Sequence, residues 1–450
     1  MEVLPGKALG PFMLGCPLSK VISYMKHWGM QYRQVQVQFS QGDLSTDICL
    51  VAATIGLRLR FCGYSQRLKL IDVYDPKKIQ ISYEGRLLSG PKSTPTFSLV
   101  SRVLGPTFPG KCHPKREVYM LQYPGVCALF PFKSTLEKHD QVVERLEQID
   151  PVAVRFFLHT GKSCLERLQL PSLGASELYF ELVVVRIGTG IRFAKRKRSL
   201  LFRRHTLQHV LSVLGKPDQV YVKDIDSMRI HRASSNSADG KLPPTTRGDY
   251  FLNYFQLGID ILLSGKTHFV KKMVLHTNMP ATRNFNRYNR CNYQIMVSVE
   301  QQLAAKSGKE VDGKSKILAA TVENRSNGET VSESILNSHK QTERKTPASS
   351  KAISFHTKWD DVKNILGPSG RPMVYGGSPG LLDYPLLSND GADGKSKSDK
   401  SPSGPMILGG ASELNRLNPF KSTLFYAYDG IVFEVLPNKY IASITLFSTS

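Results

Sequence analysis

Leu257–Asn278 reads LGIDILLSGKTHFVKKMVLHTN. Ile259, Ile261 and Leu263 alternate with other positions, Ser264 and Gly265 mark a turn, and Val270 and Val274 resume on the way back. A period of two with a turn between the runs predicts a hairpin that buries one face. Two other stretches follow the same plan. IGLRLRFCGYSQRLKLIDVYD, Ile55–Asp75, has Gly56, then Leu57, Leu59 and Phe61, then Leu68 and Leu70 after Gly63. DGIVFEVLPNKYIASITLFS, Asp429–Ser448, has Gly430, then Ile431, Phe433 and Val435, then Ile441 and Ile444 after Pro437-Asn438.

A short amphipathic helix is predicted before each. LGCPLSKVISYMKHWG, Leu14–Gly29, carries Leu18, Val21, Ile22 and Met25 on one stripe. RHTLQHVLSVLGKP, Arg204–Pro217, carries Leu207, Val210, Leu211 and Leu214 and stops at Gly215. HTKWDDVKNILGPSGRP, His356–Pro372, carries Trp359, Val362, Ile365 and Leu366 and stops at Gly367. The fold class expected is α+β: repeated units of a short helix packed on an antiparallel β-meander, with long disordered polar inserts. A unit of this size buries little area, so the copies are expected to share cores or extend one sheet.

The expected organisation is a first unit over 1–90, a degenerate unit over 91–135, a β-rich segment with a basic run over 136–200, and a second unit over 201–300. A disordered insert over 301–351 precedes a third unit, 352–450, which a second insert interrupts at 386–412. Both inserts are rich in Ser, Lys, Asp or Asn and poor in aromatics, too little apolar surface to offset chain entropy. Ser234–Arg247 reads as a further loop.

The 450 residues are 41% hydrophobic and 22% charged, with a net charge of +23. A surface this basic attracts polyanions: lipid headgroups, nucleic acid or an acidic protein face. The seven cysteines form no CxxC pair, so neither a disulfide framework nor a structural zinc site is expected, and a reducing compartment is. No apolar run is long enough to span a bilayer, and the first ten residues do not read as a signal peptide.

GDYFLNYFQLGIDILLSGKTHFVKKMVLHTN, Gly248–Asn278, continuing into NFNRYNRCNY, Asn284–Tyr293, closely resembles the most distinctive block of the phagosome assembly factor family, long filed as an uncharacterised one. YSQRLKLIDVYD, LGKPDQVYVKDIDSMRIHRAS and the terminal NPFKSTLFYAYDGIVFEV extend the resemblance. The resemblance implies a cytosolic, non-enzymatic regulator of autophagy that gathers at autophagosome formation sites in complex with a WD-repeat propeller protein. Phosphoinositide-containing membrane would be met peripherally, by this chain or through the propeller. The family brings no catalytic residues to transfer.

Candidate contact residues fall in two sets. Arg192, Lys195, Arg196, Lys197, Arg198, Arg203 and Arg204 form the densest basic run, and Lys271 and Lys272 lie in the family-like block. These suit an anionic surface; the plainer readings are a solvated face for the run and, for Lys271 and Lys272, edge-strand charges that discourage sheet pairing, with a nuclear-localisation signal a further alternative for the run. In a regular strand Lys271 and Lys272 point to opposite faces, so only one joins such a patch. Tyr250, Tyr254, His276, Asn278, Asn284, Asn286 and Tyr288 are the candidate partner surface, against core packing and turn-holding as the alternative. No enzyme is expected: the glycines of RIGTGIRF read as a hairpin turn, and Asp260, Asp360 and Asp361 read as surface carboxylates. No catalytic residue, metal or cofactor is assigned. The alternative function is a basic RNA-binding module, although no RNA-recognition sequence supports it.

Overall fold

The computed structural model describes residues 1–27, 35–40, 42–108, 110–132, 139–161, 168–172, 179–223, 248–280, 282, 284–297, 352–375, 406–408 and 423–449. The insert Gln301–Lys351 and the loop Ser234–Arg247 lie outside the described residues.

The local elements form where the periodicity places them. Leu57–Phe61 pairs with Leu68–Val73, Ile259–Leu263 with Val270–His276, and Ile431–Val435 with Ile441–Phe447, all antiparallel. Helices cover Leu18–His27, Leu207–Leu214 and Trp359–Leu366. Phe97–Leu104 is also helical, and His139–Ile149 adds a helix that the sequence reading missed.

The expected α+β architecture of helix-and-meander units is overturned. The described residues hold twenty-seven strands against five α-helices, and the strands merge into large antiparallel sheets instead of standing as separate units. An eight-stranded sheet runs in the order Lys111–His113, Val118–Tyr123, Val126–Pro131, Arg155–His159, Leu68–Val73, Leu57–Phe61, Ile48–Ala52, Val35–Gln38. A nine-stranded sheet runs Gln219–Val222, Tyr250–Tyr254, Ile259–Leu263, Val270–His276, Ile441–Phe447, Ile431–Val435, Thr423–Tyr428, Met373–Tyr375, Met406–Leu408. A lone three-stranded meander would expose an unpaired edge on each side. Here Leu70–Val73 closes on Phe156–His159, and Lys272–His276 on Ser443–Phe447, so the inner edges disappear. Met406–Leu408 also corrects the expectation that 386–412 is structureless throughout, since it pairs in parallel with Met373–Tyr375.

A five-stranded sheet, Arg198–Leu201, Gly190–Phe193, Leu182–Arg186, Asn292–Met296, Ala352–Ser354, shares one core with the nine-stranded sheet: Val185, Phe193, Tyr293 and Ile353 pack with Ile261, Met273, Phe433 and Ile444. The eight-stranded sheet has its own core with helices Leu18–His27, Phe97–Leu104 and His139–Ile149. No helix among the described residues is long and apolar enough to cross a membrane.

On the eight-stranded sheet, His159 is fully buried with its Nε2 3.4 Å from the Cys127 sulfur. Burial pushes its pKa below the ordinary 6.5. The unfolded chain therefore takes up a proton near pH 6.5 that the folded chain refuses, so this group supports stability above that pH and withdraws support below it. Urea unfolding of His159→Phe is expected to show a shallower stability loss than the natural chain as pH falls from about 6.5 to 5.

Candidate functional site

The family-like block builds a polar layer on the outer side of the nine-stranded sheet. Ile259–Leu263 is buried at every position, not at alternate ones, because the chain after His276 folds back across it. Gly258 permits that crossing. Its φ is +70°, and a Cβ there would lie 2.2 Å from the Asn289 carbonyl oxygen.

Under this segment Asp260 accepts hydrogen bonds from Asn253 Nδ2 at 2.6 Å, Tyr288 OH at 2.7 Å and His276 Nε2 at 2.9 Å. The carboxylate can only accept, so His276 donates through Nε2. The His276 and Tyr288 rings stack with centroids 3.8 Å apart. Burial, with Asp260 beside it, raises the Tyr288 pKa far above the ordinary phenol range. Asp260 is thus a buried hub, which corrects its reading as a surface carboxylate; its surroundings keep the usual alternation from predicting its face. The His–Asp pair could orient a nucleophile, but the neighbouring Cys291 meets His276 through the backbone, its N–H donating to the His276 carbonyl at 2.8 Å, and burial raises the Cys291 thiol pKa strongly.

Arg290, 1% exposed, ties this layer to the other half of the chain. Its Nε donates to the Thr277 carbonyl at 2.7 Å, and its Nη1 to the carbonyls of Gly63 at 2.6 Å and Tyr64 at 2.8 Å. The guanidinium also lies over the Phe355 ring, 5.3 Å from its centroid. Burial pushes the Arg290 pKa down to about 10, which still leaves it charged at neutral pH. Gln66 and Asn278 bond reciprocally beside it: Gln66 Nε2 donates to the Asn278 carbonyl and Asn278 Nδ2 to Gln66 Oε1, each at 2.8 Å. Leu44, Met279, Leu436 and Tyr440 add an apolar cluster at this seam. A pocket lined by residues including Arg290, Gly63, Met279 and Asn438 holds about 10 Å³, roughly room for one water.

The expected partner surface is therefore corrected. Tyr254, His276, Asn278 and Tyr288 are buried, and they serve the interior of the seam and its sheet. Tyr250 is half-buried, its hydroxyl 2.7 Å from His268 Nδ1. Asn286 is half-buried with its backbone N–H on Asn278 Oδ1 at 2.7 Å, and Asn284 alone of the set is exposed. Sequence reading passed over Arg290 and Gln66 and misplaced Asp260 on the surface. The one available signal was a lone carboxylate between two apolar strand residues, Ile259 and Ile261, in a chain with a histidine at the end of the next strand.

The basic run forms a hairpin. Gly190–Phe193 pairs with Arg198–Leu201, and Gly188–Gly190 turns into it from Leu182–Arg186. Arg192, Lys195, Lys197, Arg198, Arg203 and Arg204 are exposed. Arg196 is not available to a patch: its Nε lies 3.0 Å from buried Glu181, and its Nη1 donates to the Val213 carbonyl at 2.9 Å. Lys271 and Lys272 are both exposed, against the opposite-face expectation, because the register slips between Leu262 and Leu263: Leu262 pairs with Lys272 and Leu263 with Val270, leaving Lys271 as a bulge. Nor is this an edge strand, since it lies between Ile259–Leu263 and Ile441–Phe447. The fold also joins the two basic segments. The Arg203 N–H donates to the Val270 carbonyl, and the Val270 N–H to the His205 carbonyl, both at 3.0 Å.

A family model described as phagosome assembly factor 1 matches residues 8–447. The chain belongs to the phagosome assembly factor 1 family. A family protein of Arabidopsis thaliana is 31% identical, covering 100% of this chain and 93% of its own length. One of Drosophila melanogaster is 28% identical over 100% of this chain and 94% of its own, and one of Caenorhabditis elegans 27% identical over 64% and 75%. No solved structure matches significantly. Membership in the phagosome assembly factor 1 family fits a part in phagosome or autophagy assembly.

Proposed function

We propose that this chain is a non-catalytic adaptor of autophagy. It works in complex with a WD-repeat propeller protein and associates peripherally with phosphoinositide-containing sites where autophagosomes form. The observation that carries this reading is the family match over residues 8–447. Two features of the site support it. In the most enzyme-like array, Asp260–His276–Tyr288, His276 Nε2 and the Tyr288 hydroxyl are both taken up by Asp260, and all three residues are buried. The surface cations Arg192, Lys197, Arg198, Arg203 and Arg204 offer an anionic partner a wide contact.

Affinity purification of the tagged chain from fed and starved cells tests the reading. The expected result is a WD-repeat protein recovered in near-equal amount, with the chain moving from diffuse to punctate on starvation. Recovery of no propeller protein, with a diffuse distribution in both states, would refute it.

A further inference from the structure

We propose that two adjoining turns, Arg203–Thr206 and Ser264–Phe269, form the surface through which the chain touches an anionic bilayer, with Phe269 as its apolar anchor. This rests on the reading that the chain itself meets the membrane and does not leave that contact wholly to a partner.

The two turns are stitched together by backbone. Besides the bonds joining Arg203 and His205 to Val270, the Leu207 N–H donates to the His268 carbonyl at 3.0 Å, and Thr206 bridges Phe269. Arg203 has a φ of +54° and His268 a φ of +55°, so both turns are tight. The stitching joins the segments that carry Arg203, Arg204 and Lys266 on the turns and Lys271 and Lys272 at the start of the strand that follows, all exposed. Phe269, between the second turn and that strand, is 37% exposed. Asp249 is the carboxylate at this place. It is occupied by Lys271 Nζ at 2.7 Å and the Gly265 N–H at 3.1 Å, and these bonds hold its pKa below the usual range in spite of some burial. Arg203, Arg204, Lys266 and Lys272 have no ion-pair partner among the described residues.

Exposed cations on two joined turns and the strand that follows, with an exposed aromatic side chain in the same segment, suit a plane of negative charge with an apolar layer behind it. Each cation near an anionic leaflet gains from the surface potential, and an aromatic side chain gains by entering the boundary between headgroups and acyl chains. A single soluble phosphate would make use of the charges but not of Phe269.

The test is co-flotation of the full chain with phosphatidylcholine vesicles, with and without phosphatidylserine. Phosphatidylserine is expected to raise binding, and added salt to reverse it. Arg203→Glu with Arg204→Glu is expected to weaken binding about tenfold or more, and Phe269→Ser about fivefold. Lys115→Glu with Arg116→Glu, the same charge change at a distant exposed turn, is expected to alter it by less than about twofold. Phe269→Trp keeps an aromatic at the tip, and its emission should shift to the blue on vesicle addition.

Three results would overturn the proposal. If the natural chain does not float with phosphatidylserine vesicles, direct membrane contact falls with it. If both charge-reversed pairs weaken binding equally, the site is wrong while membrane contact stands. If single-stranded RNA binds tightly at physiological salt and vesicles do not, the surface belongs to nucleic acid. Recovery of the propeller protein is a separate measurement, so the adaptor reading can survive each of these.

Discussion

Arg290→Met is expected to lower the unfolding free energy by about 3 kcal/mol, the scale for leaving several buried carbonyl acceptors without their donors. The substitution keeps much of the apolar stem but loses the guanidinium that lies over Phe355 and reaches the Met279 sulfur. It removes the donors to the carbonyls of Thr277, Gly63 and Tyr64. A buried acceptor left without a donor costs about 1–3 kcal/mol, and the penalties overlap because the seam relaxes as one piece. Arg290→Lys is expected to restore less than half of the loss. A single ammonium cannot supply the two separated donor atoms that reach Thr277 on one side and the Gly63–Tyr64 turn on the other. Urea unfolding of the full chain decides the matter, and a change below about 1 kcal/mol for Arg290→Met would mean that water replaces the guanidinium.

Gly258→Ala is expected to cost about 3 kcal/mol or more, in two parts. A left-handed backbone costs an L-residue about 1–2 kcal/mol. The larger share is the clash, since the new Cβ would lie 2.2 Å from the Asn289 carbonyl oxygen and 3.0 Å from the Cys291 nitrogen, both backbone atoms. The crossing segment would have to lift, and with it Tyr288 from Asp260 and Arg290 from its carbonyls. Gly85→Ala isolates the two parts. Gly85 has a φ of +74°, but a Cβ added there would meet nothing within 4 Å, so it should lose only the conformational share. The double substitution Gly258→Ala with Arg290→Met is expected to cost less than the sum of its parts, because both act on one seam. Full additivity in thermal unfolding would show that Gly258 does not position Arg290.

Much of the local structure was legible. Leu57, Leu59 and Phe61 point inward in alternation, as do Ile431, Phe433 and Val435, and the helix at Leu207–Leu214 ends at Gly215. The candidate site was legible only in place. Gly248–Asn278 holds the residues that matter, but His276, Asn278 and Tyr288 are buried where a surface was expected. Alternation describes one strand against one core. It does not know that residues 284–291 lie over the second face and turn that face into an interior.

The strands and helices, the basic character and the family can all be read along one dimension, because they depend on residue spacing, composition and similarity between neighbours in the chain. Three-dimensional packing was needed to show that the meanders fuse into two large sheets, that Arg290 reaches carbonyls at Gly63 and Tyr64, and that Arg203 sits beside Val270 and Lys271. Edge pairing and buried hydrogen bonds join groups far apart in the chain. Their partners are chosen by which unpaired edges and polar atoms must leave water together, and no spacing rule within one segment carries that information.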